Sequence, residues 1–324
     1  MLHGGYLIFD YSRKMASKSI EPTTSALAAR SDDKVDDEWL AIQNGVKKHA
    51  KEIKLFKKDG RPIVDRSGKI VVDAEAVKRI SNGMMDASVL DFYLKEVLLG
   101  ELEAQDKVAI FGVNFLRDMI DKRTSDETNK MFQRFEKRME WNDLFRDAHQ
   151  IHFPMLSGNH YSVISLEKVS DSSRDGEHRH NISTKCSFGR PMDEAVRKLL
   201  DAIRDYYKYK GKRFNDEQWH RPLGRGTKRC AKQGSNGLNC GLFVCFNIEM
   251  MVKIGATTPA FCNEDAMMYR DHIALSIQQF LDKNGDYSLM EERSDCGSGR
   301  RLKKMPRTQT QGKGSPSVID LTED

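Results

Sequence analysis

The chain has 324 residues, 39% of them hydrophobic and 31% charged, enough for one sizeable core with long solvated faces. Its 53 basic and 48 acidic side chains leave a net charge of +5, too mild to indicate nucleic acid. Six cysteines, at 186, 230, 240, 245, 262 and 296, form no C-x-x-C pair, so neither a zinc site nor a disulfide framework is indicated; no run approaches the roughly 18–20 apolar residues of a membrane span.

The first ten residues hold too short an apolar run, and too early an acid, for a secretory signal; an intracellular protein of nucleus or cytoplasm is expected. Residues 1–37 lack periodicity and read as a mobile N-terminus. Residues 38–56 have helical spacing with a lysine-rich outer face, Lys47, Lys48, Lys51, Lys54, Lys57 and Lys58, read as solvated rather than as an acidic partner's dock. Two short strands follow around the Ser67-Gly68 turn, and the accessory segment 38–72 ends there. A capped helix is expected from Asp73 to Ile80, and a strong amphipathic one from Met85 to Leu99, stopped by Gly100.

Val108–Phe111 reads as a buried strand, 114–120 and 126–140 as helices, and Gln150–Pro154 as a strand. Ser157–His160 is a turn launching the strand Tyr161–Glu167, and an extended pattern resumes from His178 to Lys185. A long helix is expected over Asp193–Tyr209 and a last one over about Asn263–Leu281. Beyond Gly285 the chain turns polar and basic, with Arg300–Arg307 and the ending Ser317–Asp324.

The stretch Gln233–Cys245 stands apart. Glycines and amides allow a tight turn, and the apolar run after it predicts a buried helix. Cys240 then sits in the first helical turn, where unpaired N–H groups and the helix dipole favour a thiolate. By itself it reads as a buried structural cysteine before it reads as a nucleophile. A nucleophile needs a base and a group to orient that base. His160, opening an apolar strand, is the best base; His149 and His152 flank another strand, and no ligand spacing joins the three into a metal site, so no metal or other cofactor is expected. Asn181, on the strand paired with that of His160, is placed to orient the ring. Gln233 and the Cys240 N–H are candidate oxyanion donors.

These residues resemble the SUMO-specific (Ulp/sentrin-specific) cysteine proteases, relatives of the adenoviral protease. Asn236–Cys245 is similar to that family's nucleophile motif, Asn159–Leu166 to its histidine strand after Ile151–Pro154, and Asn82–Leu94 to its Phe-Tyr-Leu helix. The resemblance covers roughly residues 73–283 and leaves 284–324 as a flexible basic tail. It implies an α+β, papain-like fold, with a mixed central sheet packed between helices and the nucleophile at the N-terminus of a buried helix. The implied reaction is cleavage after the diglycine C-terminus of SUMO or a related ubiquitin-like modifier, in processing or deconjugation, by a monomer that binds neither nucleic acid nor membrane.

Three departures accompany it. The family's acidic third member appears as Asn181, with Asp175 or Glu177 as substitutes after a realigned loop. Gln233 stands seven residues before Cys240, where the family has six. The tryptophans of the family's substrate tunnel appear as Met84 and Tyr161. In the tail, Val318, Ile319, Asp320 and Leu321, followed by Glu323 and Asp324, resemble a SUMO-interacting motif, a β-prone strip that adds to the modifier's sheet edge. The basic cluster before it fits a nuclear import signal or a solvated linker. Two rival readings are a catalytically weakened SUMO-binding module and a Cys-His acyltransferase on the same fold.

Overall fold

The computed structural model describes residues 24–81, 83–102, 107–121, 124–170, 178–220, 238–255 and 261–290. The lysine-rich segment forms two helices, α1 (Thr24–Lys48) and α2 (Ala50–Asp59), divided at His49. Helix α1 begins at Thr24, inside the stretch expected to be mobile, because Val35 is an anchor: it is fully buried in the same core as Ile42 and Val46. Gly60 ends α2 at φ +57°, a left-handed stop that returns its N–H to Phe56.

Strands β1 (Ile63–Asp65) and β2 (Ile70–Val72) pair around a turn tied by the Asp65 carboxylate, which accepts the N–H groups of Ser67 and Lys69. Asp73 caps α3 (Ala74–Arg79), and Asp86 caps α4 (Ala87–Phe92). The latter runs through a π-helical turn, Tyr93–Leu98, into α5 (Leu99–Glu101), so Gly100 is passed rather than ending the helix.

The central sheet has the order β3 (Val108–Ile110), β4 (Gln150–Ser157), β5 (His160–Ser170), β6 (His178–Lys185), β7 (Trp219–His220). Its outer pairs are parallel and its inner pairs antiparallel. Between β3 and β4 lie α6 (Phe115–Asp121), α7 (Ser125–Arg138) and α8 (Leu144–Asp147); α9 (Asp193–Tyr209) follows β6. Strand alternation divides the side chains between two cores. Ile151, Phe153, Ile164 and Leu166 join α6–α9 in one, while Tyr161 and Val163 join α1, α2, α4, α10 (Cys240–Ile254) and α11 (Asn263–Lys283) in the other. A last strand, β8 (Tyr287–Leu289), unanticipated in the sequence, pairs with β1.

The second core contains a buried carboxylate. Glu249 of α10 is fully buried; its Oε2 accepts the hydroxyls of Tyr93 at 2.7 Å and Tyr269 at 2.5 Å. Its Oε1 meets Lys253 Nζ at 2.7 Å and His272 Nε2 at 3.2 Å. Burial pushes the carboxyl up, but His272 and Lys253 outweigh it and hold Glu249 well below the ordinary carboxylate range. Glu249→Gln removes the charge around which these groups are arranged, and a loss of about 3 kcal/mol of stability is expected at pH 7. Because the folded carboxyl titrates below its unfolded value near 4.5, its contribution is complete above that pH and fades as pH falls beneath it. Denaturation of wild type and variant from pH 7 downward should therefore converge in acid.

Candidate active site

Helix α10 lies across β5 with little space between them. A Cβ built on Gly241 would stand 2.9 Å from Leu90 Cδ1 and 3.3 Å from Tyr161 Cδ2, both fully buried, and 3.5 Å from Met85 Cβ. Hydrogen in place of a side chain at 241 lets the helix settle onto the strand. Cys240, its first residue, is buried, and its Sγ accepts the Tyr161 N–H at 3.3 Å and lies 3.9 Å from the Asn159 carbonyl. The backbone groups on both sides of His160 thus touch the thiol.

The start of α10 is braced from behind. The fully buried guanidinium of Arg270 in α11 donates to the carbonyls of Arg79, Ile80 and Gly83 and to Asn239 Oδ1, at 2.9–3.4 Å. It ties the loop leading to Met84 to the residue preceding Cys240. The Asn239 side chain does not cap α10, and among the described residues its N-terminal N–H groups are left around the sulfur. Burial nonetheless raises the Cys240 thiol above its ordinary value; the N–H groups of Tyr161, Gly241 and Cys240 itself offset it only in part. The thiolate favoured by helix position alone is outweighed by desolvation.

His160 opens β5, as its place after the Ser157–Asn159 turn indicated. Its Nε2 lies 3.2 Å from Cys186 Sγ, and its ring stacks on Phe188 at 4.4 Å between centroids. Nδ1 has no hydrogen-bond partner among the described residues. Burial first, and the charge of Arg190 second, hold the imidazole below its usual pKa. Burial thus disfavours the charged form of both the thiol and the imidazole.

Asn181 does not join them. It stands opposite Glu167 in the β5–β6 ladder, seven residues along the strand from His160. At about 3.3 Å per residue that is roughly 20 Å, beyond any side chain's reach. The error lay in treating the paired strand as adjacent without counting its register. Past Val163↔Lys185, the register brings Cys186–Phe188 beside His160 instead. A search for amide or carboxylate oxygens passes over a thiol there.

Met84 is half-buried beside the site, packed on the second core. Tyr161 is buried, with its ring against Gly241 and its hydroxyl donating to the Met85 carbonyl at 3.1 Å; it is a floor beneath the helix rather than an open wall. His152 lies in the sheet, bonded to Ser165 and Gln150, and burial alone takes its pKa to about 3. Gln233, Asp175, Glu177 and Val318–Leu321 lie outside the described residues. For Gly241→Ala we expect a loss of about 1–3 kcal/mol from overpacking, together with slower alkylation of Cys240, since the helix must lift from β5. Thermal unfolding and peptide-resolved labelling read the two effects.

The family model for the Ulp1 protease family, C-terminal catalytic domain, matches residues 84–285. No curated protein matches the chain by sequence. Among solved structures, the Ulp1-like SUMO protease catalytic domain of Chaetomium thermophilum is 15% identical, with a TM-score of 0.50, over 70% of this chain and 87% of that one. The SUMO protease Ulp1 with its catalytic cysteine oxidised to a sulfenic acid is 16% identical, also with a TM-score of 0.50, over 72% of this chain and 94% of that one. These likenesses show a common fold of helices around a mixed sheet, and the match over more than half the chain shows that this protein belongs to the Ulp1 protease family.

Proposed function

We propose that the protein is a cysteine peptidase that hydrolyses the bond after the diglycine C-terminus of SUMO or a closely related ubiquitin-like modifier, in precursors and in isopeptide conjugates. The observation that carries this reading is the Cys240 sulfur lodged against the backbone on both sides of His160, whose buried Nδ1 has no hydrogen-bond partner among the described residues while Nε2 is held. Membership of the Ulp1 family, and relatives that are SUMO proteases by name, support the modifier.

His160 Nδ1 takes the Cys240 proton as the sulfur attacks the diglycine carbonyl. The Cys240 N–H, with the Gln233 side chain, receives the developing oxyanion; one such donor is worth about 2.7–4 kcal/mol. The imidazolium protonates the departing amine, and a thioester remains. Water, losing a proton to His160, then hydrolyses the thioester and frees the modifier and the Cys240 thiol. Met84 supplies a flexible apolar wall to the glycine channel. The segment Val318–Leu321 adds a second contact as an edge strand on the modifier, and Arg300–Arg307 serves nuclear import. The protein acts as a monomer in nucleus or cytoplasm, without nucleic acid or membrane, its catalytic unit running from about residue 73 to 283.

Intact mass after mixing with SUMO bearing a C-terminal electrophile tests the reading. A one-to-one adduct that Cys240→Ala abolishes is expected with SUMO and not with ubiquitin. No adduct with any diglycine modifier would sink the proposal. The pH profile gives a second check. Because burial and Arg190 disfavour the imidazolium, the acid limb of kcat/KM should have its midpoint below pH 6.5. Arg190→Met should move it upward, toward that value.

A further inference from the structure

We propose that Cys186 is the positioning residue of this site: its sulfur accepts the His160 Nε2–H and so fixes the tautomer whose bare Nδ1 receives the Cys240 proton. The inference rests on the reading of Cys240 and His160 as nucleophile and base. No carboxylate or amide oxygen bonds His160 among the described residues; the sulfur at 3.2 Å is the partner of its Nε2.

The local chain is folded to present that sulfur. Cys186 directly follows the last residue of β6 and is buried, and its carbonyl accepts the Gly189 N–H at 2.7 Å to close a turn. Gly189 sits at φ +67°, a left-handed position that glycine adopts without strain. Beyond it the Arg190 N–H donates to Cys186 Sγ at 3.3 Å. The same turn lays Phe188 flat on the imidazole, 21° from parallel, and brings the Arg190 guanidinium over the Phe188 ring, 5.5 Å from its centroid. Sulfur holds the ring's edge and phenyl holds its face.

The Arg190 bond shows Cys186 Sγ acting as an acceptor, and the inferred tautomer gives it the same role toward His160. A hydrogen on Nε2 matches that, and a neutral imidazole protonated on Nε2 has its free pair on Nδ1. Sulfur accepts more weakly than a carboxylate oxygen. The ring is therefore oriented without the charge that would stabilise an imidazolium, and Arg190 opposes that charge further. The site keeps the triad geometry with a softened base.

The test needs no modifier. On the full chain, the rate of Cys240 alkylation by iodoacetamide is followed by peptide-resolved mass spectrometry in wild type, Cys186→Ala, Cys186→Asp and His160→Ala, beside thermal unfolding. Cys186→Ala should slow Cys240 by about tenfold or more with little change in melting temperature, and Cys186→Asp should restore or exceed the wild-type rate. If the aspartate variant does not fold, Cys186→Asn replaces it, with restoration expected. An Ala variant within twofold of wild type overturns the assignment, as does a slowed Ala variant that neither oxygen-bearing residue rescues. If His160→Ala itself leaves the rate unchanged, the nucleophile–base reading fails and this inference falls with it. A slow His160→Ala beside a fast Cys186→Ala removes Cys186 alone.

Discussion

The close approach of α10 to β5 at Gly241 is the constraint on which the rest of the site depends. It is short enough that a backbone amide of the strand, Tyr161 N–H, reaches the sulfur of the helix's first residue. Cys240 and Tyr161 stand 79 positions apart in sequence, and the missing Cβ at Gly241 lets sulfur and strand meet. The floor is rigid because Tyr161 is fixed at both ends, its ring under Gly241 and its hydroxyl on the Met85 carbonyl. Arg270 does the same work from the other side, joining the loop before Met84 to Asn239 with neutral oxygens alone.

Burial then decides the resting chemistry. The same packing that aligns Cys240 and His160 withdraws both from water, which penalises their charged forms. A helix N-terminus lowers a thiol's pKa, but here desolvation is the larger effect. An ion pair would need a counter-charge near the imidazole, and the nearby charge is a guanidinium. In the proposed reaction, proton transfer then accompanies the approach of the substrate carbonyl rather than preceding it.

A second buried arrangement, around Glu249, works in the opposite sense. There a carboxylate keeps its charge because Lys253 and His272 reach it from the edge of the core and two tyrosine hydroxyls occupy its other oxygen. Lys253 also faces Glu38 of α1 and Glu101 of α5, at 3.6 and 3.7 Å. Helix α1, outside the matched family region, is thereby joined electrostatically to the helix that bears Cys240. Trp39 of α1, edge-on to Phe246 and Phe261, adds the apolar part of that joint.

Much of this was legible in the residues. The run after Cys240 is apolar on all sides, and only a helix surrounded by core can satisfy it. His160 was readable as a strand opener because a Gly-Asn turn precedes an alternating apolar segment. The start of α1 was not, since its early turns are polar and their anchor, Val35, finds its partners only in distant helices. Nor was β8, three residues long, whose pairing with β1 spans most of the chain. The partner of His160 was the instructive failure. Residue type pointed to Asn181, but a hairpin's register is set by where its strands begin to pair, and that placed Asn181 opposite Glu167 and Cys186 beside the imidazole. Sequence by itself offered Cys240 and His160 as candidates for chemistry and marked most helices and strands, because both follow from local composition and period. Which of those side chains touch, and whether they are charged when they do, was decided by tertiary structure alone, because register and desolvation are properties of packed neighbours and not of any one segment.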